Sequence, residues 1–260
     1  MAATQRHSAQ RHRAKERARE GMPHDALWRR LSRFAALSEQ EHSIIRQACA
    51  APGLVAAGAE LFCEGEPMRK PGVLVSGWGC RHRLLADGRR QIFDFLLPGD
   101  LFGDAMPDDP HATASGLTLT PAAIAGTGCL IEMVREPRRF PGLATAWSAA
   151  RARQEQYLLG HVVRLGRQTA HERVAHLLAE LGHRLAEIGF PLGGFQPMPL
   201  TQEALADALG LSAVHVNRTL QLLRRERLIE TRAAALRIVA PEALFALAEF
   251  RPPTPVAAPH

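Results

Sequence analysis

The run Leu200-Thr-Gln-Glu-Ala-Leu-Ala-Asp-Ala-Leu-Gly-Leu-Ser-Ala-Val-His-Val-Asn-Arg-Thr-Leu-Gln-Leu-Leu223 constrains this chain more than any other stretch. Two helical patterns lie on either side of Gly210-Leu211-Ser212. Thr201 can cap the first helix and Ser212 the second, because a hydroxyl one position before a helix accepts an otherwise unpaired backbone N–H. Ala206 is small where the two helices must approach, Gly210 supplies the positive φ of the turn, and Val216 plugs the space between the helices. The pattern is a helix-turn-helix. The segments Thr231-Arg232 and Leu236-Arg237-Ile238-Val239 follow it and read as a two-stranded wing, although the turn Ala233-Ala-Ala235 has no glycine.

Charge coincides with this unit. The chain carries a formal +6, and Lys15 and Lys70 are its only lysines, so the positive charge is almost wholly guanidinium. Between Gly210 and Ala240 six arginines (Arg218, Arg224, Arg225, Arg227, Arg232, Arg237) face only Glu226 and Glu230. Such a surplus suits phosphate neutralisation and implies salt-sensitive binding to double-stranded DNA. On the second helix, Ser212, Ala213, His215, Asn217, Arg218 and Gln221 are expected to face outward, with Leu211, Val214, Val216 and Leu220 inward or at the edge. N-terminal residues of a recognition helix reach base edges in the major groove. The base-reading set is therefore Ala213, His215, Asn217 and Arg218; Arg218 can take guanine bidentately and Asn217 can pair with adenine. Thr201, Gln202, Ser212, Arg224 and Arg232 are the expected phosphate contacts.

The residues before it have a different grammar. From Leu54 to Met133, short apolar runs alternate with Gly58, Gly65, Gly72, Gly77, Gly79, Asp87-Gly88, Pro98-Gly99-Asp100 and Gly103. Many short strands joined by tight turns predict a double-stranded β-helix, a cupin-like β-roll. Asp87-Gly88 is the clearest hairpin turn. The uncharged stretch from Ala112 to Ile131 approaches the length of a membrane span, but Pro121, three glycines and five Ser/Thr residues make it a better strand pair than a helix. Ala26 to Ala48 fits short helices. After Pro141 the period becomes helical, with Leu143, Trp147, Ala150, Gln154, Tyr157 and His161 in steps of four and three, and Leu158, Val162 and Leu165 beside them. Such a stripe must be covered, either by its own chain or, as expected here, by a second copy in a homodimer. Thr169-Ala-His-Glu172 is a capping box that opens a further helix.

The fold expected is thus α+β: a basic disordered leader over 1–21, a β-roll over 26–136, a dimerisation helix over 138–166, a winged helix-turn-helix domain over 167–250 and a disordered tail over 251–260. Cys49, Cys63, Cys80 and Cys129 are scattered without ligand spacing, and His82 and His111 form no His-x-His pair, so neither a metal nor a cofactor nor an enzyme is expected. No signal peptide opens the chain, no membrane partner is implied, and a cytoplasmic location is expected. The weaker alternatives are an interaction or sensor protein that has lost operator specificity and a cupin-type metalloenzyme.

A glycine-punctuated β-roll, a long helix and a winged helix-turn-helix, in that order, resemble the Crp/Fnr family of bacterial transcription regulators. Leu97-Pro-Gly-Asp-Leu-Phe-Gly103 looks like that family's turn before its effector pocket, and Gly58-Ala-Glu-Leu-Phe-Cys-Glu-Gly-Glu-Pro67 looks like its early strand pair. The Val-His-Val-Asn-Arg-Thr-Leu segment resembles one branch of these regulators. The resemblance implies a homodimer on a palindromic operator, RNA polymerase as a further candidate partner, and an unidentified small-molecule effector near Gly103, Asp104 and Thr120. Members that bind cyclic AMP hold its phosphate with an Arg-Ser pair, where this chain has Leu119-Thr120-Pro121. Oxygen-sensing members carry clustered N-terminal cysteines, which this chain lacks. The implied signal is therefore neither cyclic AMP nor an iron–sulfur cluster; redox chemistry at Cys63 or Cys80 is another route. Ala213 and Val214 stand where better-known members carry base-reading Arg or Glu, so those members' operators do not transfer.

Overall fold

The computed structural model describes residues 25–68, 70–103 and 111–253. The predicted leader, residues 254–260 of the tail and Asp104 lie outside these.

Helix α1 (Asp25–Ser32) leads into α2 (Glu39–Ala48), which opens on a capping box: the Glu41 carboxylate accepts from the Ser38 N–H at 2.7 Å. The roll then runs through β1 (Gly53–Val55), β2 (Glu60–Phe62), β3 (Gly72–Ser76), β4 (Gly79–Leu84), β5 (Arg90–Leu96), β6 (Leu101–Phe102), β7 (Ser115–Thr118) and β8 (Ala122–Gly126). These strands form two four-stranded antiparallel sheets, ordered β1-β8-β3-β6 and β2-β7-β4-β5. Leu74, Leu96, Phe102 and Ala122 are buried together within the roll. The Asp87-Gly88 turn joins β4 to β5 as the sequence predicts, with Gly88 at φ 86°. The uncharged stretch around Pro121 forms the strand pair β7 and β8, and its last residues open the helix that follows.

Helix α3 (Gly128–Val134) precedes α4 (Pro141–Arg167), the long helix of the chain. The Glu41 carboxylate accepts from the Leu143 N–H at 2.7 Å, placing a negative charge at the N-terminus of α4. A Cβ on Gly142 would sit 2.4 Å from the Ala36 carbonyl oxygen, so only glycine admits this approach.

The stripe expected to pair two copies divides in the structure. Leu143, Trp147, Tyr157 and His161 are buried against the chain's own body, and Ala150, Gln154 and Leu165 are half-buried. The face left uncovered carries Leu158, Val162 and, unanticipated, Leu159 and Val163. A period of 3.5 marks a buried stripe but does not say which body buries it, and here the roll and the next helix take the larger share.

That next helix, α5 (Ala170–Glu187), starts after a break at Gln168–Thr169 and carries the predicted capping box, with the Glu172 carboxylate accepting from Thr169 N–H at 2.7 Å. It is the spine of the molecule. Val174, Leu177, Leu178, Leu181 and Leu185 are buried in one continuous core that holds both Trp78, Ile92 and Phe95 of the roll and Leu205, Val216 and Ile238 of the C-terminal unit. That unit comprises β9 (Gln196–Pro197), α6 (Gln202–Leu209), α7 (Ala213–Arg225), β10 (Ile229–Arg232), β11 (Ala235–Ile238) and α8 (Pro241–Leu247). The wing has three strands, ordered β10-β11-β9, where the sequence reading had two; β9 is too short to give a period.

Candidate nucleic-acid interface

The Thr201 hydroxyl caps α6 by accepting from Ala204 N–H at 3.1 Å, and Ser212 caps α7 by accepting from His215 N–H at 3.2 Å. Between them Gly210 takes φ 63°, ψ 37°, the left-handed conformation the turn requires. Val216, Thr219 and Leu223 point inward and fill the space between the two helices, and the Thr219 hydroxyl donates to the His215 carbonyl at 3.0 Å.

The outer face of α7 matches expectation in part. Ser212, His215, Arg218 and Gln221 are exposed, whereas Ala213 and Asn217 are half-buried on the flank. Val214, expected inward or at the edge, is instead 63% exposed and shares a groove with Ser212, His215, Arg218, Leu222 and Arg225. The physical reason is angular. Val216, Thr219 and Leu223 already define the buried side, and Val214 lies roughly opposite Val216 at about 100° per residue.

Among the expected phosphate contacts, Thr201, Gln202, Ser212, Arg224 and Arg232 are all exposed. Arg224 donates to the Thr231 hydroxyl at 3.1 Å, tying the end of the recognition helix to the wing. The Arg232 guanidinium lies 4.4 Å from the centroid of the Phe195 ring, with Arg237 on the same ring at 5.3 Å and paired to Glu230 at 2.8 Å. Phe195 was not legible as a site residue; it lies in a loop with no periodicity, and only the fold brings it under the wing arginines. The Ala-rich wing turn forms without glycine, with Ala233 itself at φ 47°.

Polar contacts help to fix this unit on the rest of the chain. The Arg90 guanidinium of β5 reaches Asp207 of α6 at 2.8 Å, and Gln91 donates from its side-chain amide to the Ala208 carbonyl at 3.3 Å. Arg173 of α5 donates from Nε to the Gln168 carbonyl at 2.8 Å and from Nη1 to the Leu209 carbonyl at 3.2 Å.

A cavity of about 350 Å³ lies between the roll and α4. Gly103 lines it; Thr120 does not, because its hydroxyl accepts from Trp78 N–H at 2.9 Å in the turn before β8. The apolar wall includes Leu31, Phe34, Phe62, Met68 and Phe102. The polar wall includes Arg151, Gln154 and His111 and four guanidinium groups held by carboxylates: Arg30 to Asp100 at 3.1 Å, Arg81 to Asp94 at 3.1 Å, Arg153 to Glu187 at 3.3 Å, and Arg184 to Asp94 at 2.9 Å and Asp100 at 2.7 Å. Burial alone would raise the Asp94 carboxyl, but Arg184 and Arg81 beside it hold it down at about 2. Burial pushes the Cys80 thiol up to about 12, and a hydrogen bond with Glu60 raises that of Cys63, the opposite of what a reactive thiolate needs. Among the described residues no group of three or more His, Cys, Asp or Glu side chains could hold a metal, and no helix is long and apolar enough to cross a membrane.

A roll beside a cavity, a long helix and an exposed helix-turn-helix next to a basic wing outline a DNA-binding protein, and the comparisons agree. The family model for the cyclic nucleotide-binding domain matches residues 54–126, and that for the Crp-like helix-turn-helix domain matches residues 172–247. The chain belongs to the Crp/Fnr family of DNA-binding transcriptional regulators. It is 36% identical over 202 residues to the nitrogen fixation regulation protein FixK of Rhizobium meliloti, covering 75% of this chain and 88% of that one. It is 30% identical over 182 residues to the transcriptional activator protein FnrL of Cereibacter sphaeroides, covering 66% and 70%. The solved structure of FixK2 from Bradyrhizobium japonicum superposes with a TM-score of 0.64 at 26% identity, covering 76% of this chain and 96% of that one.

Proposed function

We propose that the chain acts as a homodimer that reads a palindromic operator, with a signal taken up at the cavity between the roll and α4. The observation that carries operator reading is the exposed face of α7, where Val214, His215 and Arg218 stand clear of the chain's own body beside the wing arginines. The uncovered strip Leu158, Leu159, Val162 and Val163 on α4 supports the dimer, since an apolar patch rimmed by polar residues marks an interaction surface. Twofold pairing through α4 would set two recognition helices on half-sites about one helical turn of DNA apart. RNA polymerase is the further partner expected of a regulator bound upstream of a promoter, and the cytoplasm is where both meet.

We infer that the effector is not a cyclic nucleotide. The guanidinium groups of Arg30, Arg81, Arg153 and Arg184 on the cavity wall are engaged by carboxylates, which leaves them poorly placed to take up a cyclic phosphate. A signal that shifts these pairs biases α4 and α5, and through them the C-terminal unit.

The test is duplex binding by the full chain at two salt concentrations. Arg218→Ala should lose preference at the base it contacts, whereas Arg232→Ala should weaken all duplexes alike and lower the salt slope. An unchanged sequence preference in Arg218→Ala would overturn the recognition-helix assignment.

A further inference from the structure

We propose that Val214 is a specificity-determining residue, reading the C5-methyl group of a thymine beside the base that Arg218 reads. The inference rests on the DNA-binding reading above and goes beyond it.

Val214 sits in the first turn of α7, 63% exposed. Folding does not need its isopropyl group, because Val216, Thr219 and Leu223 already fill the space between α6 and α7. It lies in a groove with Ser212, His215, Arg218 and Arg225, so a branched apolar side chain stands among polar ones on the face aimed away from the protein. Residues four apart on a helix share a face and lie about 6 Å apart along its axis. A helix that brings Arg218 to a base edge therefore brings Val214 to a base pair one or two steps away, at about 3.4 Å per step.

The edges of the major groove offer hydrogen-bond donors, acceptors and one apolar group, the thymine methyl. Valine has no polar atom beyond its backbone. Against a cytosine amino group or a guanine oxygen it would exclude water and return no hydrogen bond, which costs affinity. Against the thymine methyl it buries apolar surface from both partners. Discrimination thus arises twice, by contact with thymine and by leaving polar edges unpaired elsewhere.

The experiment begins with selection of duplexes by the full-length protein from a random library, followed by affinity measurement on the selected operator. Replacing the thymine at the column next to the Arg218-dependent base by deoxyuridine removes only the methyl group. The wild-type protein should lose about fourfold in affinity per half-site, the worth of one buried methyl-sized group. Val214→Ala should bind the thymine operator more weakly and show no further loss with deoxyuridine. Arg218→Ala should remain sensitive to deoxyuridine while losing its own base. Equal methyl sensitivity in wild type and Val214→Ala, or none in wild type, would overturn the proposal. If wild type enriches no sequence at all, the operator-reading function itself falls, and the proposal with it.

Discussion

Arg90 on strand β5 and Asp207 on helix α6, 117 positions apart in the chain, meet with Nε 2.8 Å from Oδ2. Each side chain is a little under a third exposed, so water still screens the pair and its intrinsic worth is about 1 kcal/mol or less. Its importance is positional, because with Gln91 it holds the helix-turn-helix against the roll. Asp207→Asn should barely move the thermal midpoint yet speed amide hydrogen exchange in β4, β5 and α6. Unchanged protection in those three elements would show that the buried core alone sets the docking.

Arg184 presents the opposite case. It is 2% exposed and reaches Asp94, Asp100, Glu180 and the Phe95 carbonyl, while its guanidinium stacks 5.1 Å from the Tyr157 ring. Arg184→Met leaves Asp94 to Arg81 alone and Asp100 to Arg30 alone in a buried site, which should cost about 3 kcal/mol in urea unfolding. The solvent-exposed pair of Arg83 with Glu64 supplies the control, and Arg83→Gln should leave the unfolding midpoint where it is.

Acid sensitivity should begin well above the usual carboxylate range. Burial, then the adjacent Arg164 guanidinium, lowers His161 to about 4 and His176 to about 3. Arg164 donates from Nε to Nδ1 of His176 at 3.2 Å, consistent with a neutral ring. Both folded values lie below the unfolded value near 6.5, so the unfolded chain binds more protons in between and stability falls as pH drops from about 6.5 towards 4. Asp94 and Glu187, both held at about 2, add a second loss below about pH 4. Thermal midpoints measured from about pH 7 to about pH 5 should fall in the wild type, and His176→Gln should flatten that slope.

Ala233 occupies the left-handed region at φ 47° in the wing turn, a conformation that costs a residue with a Cβ about 1 kcal/mol. Ala233→Gly should therefore raise unfolding stability by up to about 1 kcal/mol. Gly210→Ala tests the same physics in reverse. A Cβ there would meet nothing closer than 3.8 Å, so the loss should be only the backbone cost, again about 1 kcal/mol.

What could be read from the residues, and what could not, follows from the range of the interactions. Caps and turns are local, which is why Thr201, Ser212, Thr169, Gly210 and the Asp87-Gly88 hairpin stand where their neighbours dictate. The roll was legible from glycine spacing for the same reason. Val214 was misplaced because a valine on a helix reads as core until its neighbours have taken the buried side. Arg164 and Arg184 gave no warning of burial, since an arginine on a helix ordinarily marks solvent, and the carboxylates that enclose Arg184 come partly from strands some 90 positions away. The inward turn of Tyr157 and His161 has the same origin.

Arg173 carries a consequence for how quickly the molecule can change its grip. One planar group bridges the Gln168 carbonyl at the α4–α5 corner and the Leu209 carbonyl just ahead of the reading helix. Pulling the guanidinium away would uncover two carbonyls at once, so a partial departure gains little over a complete one. The clasp makes the seat of the reading helix an all-or-none contact instead of a graded one.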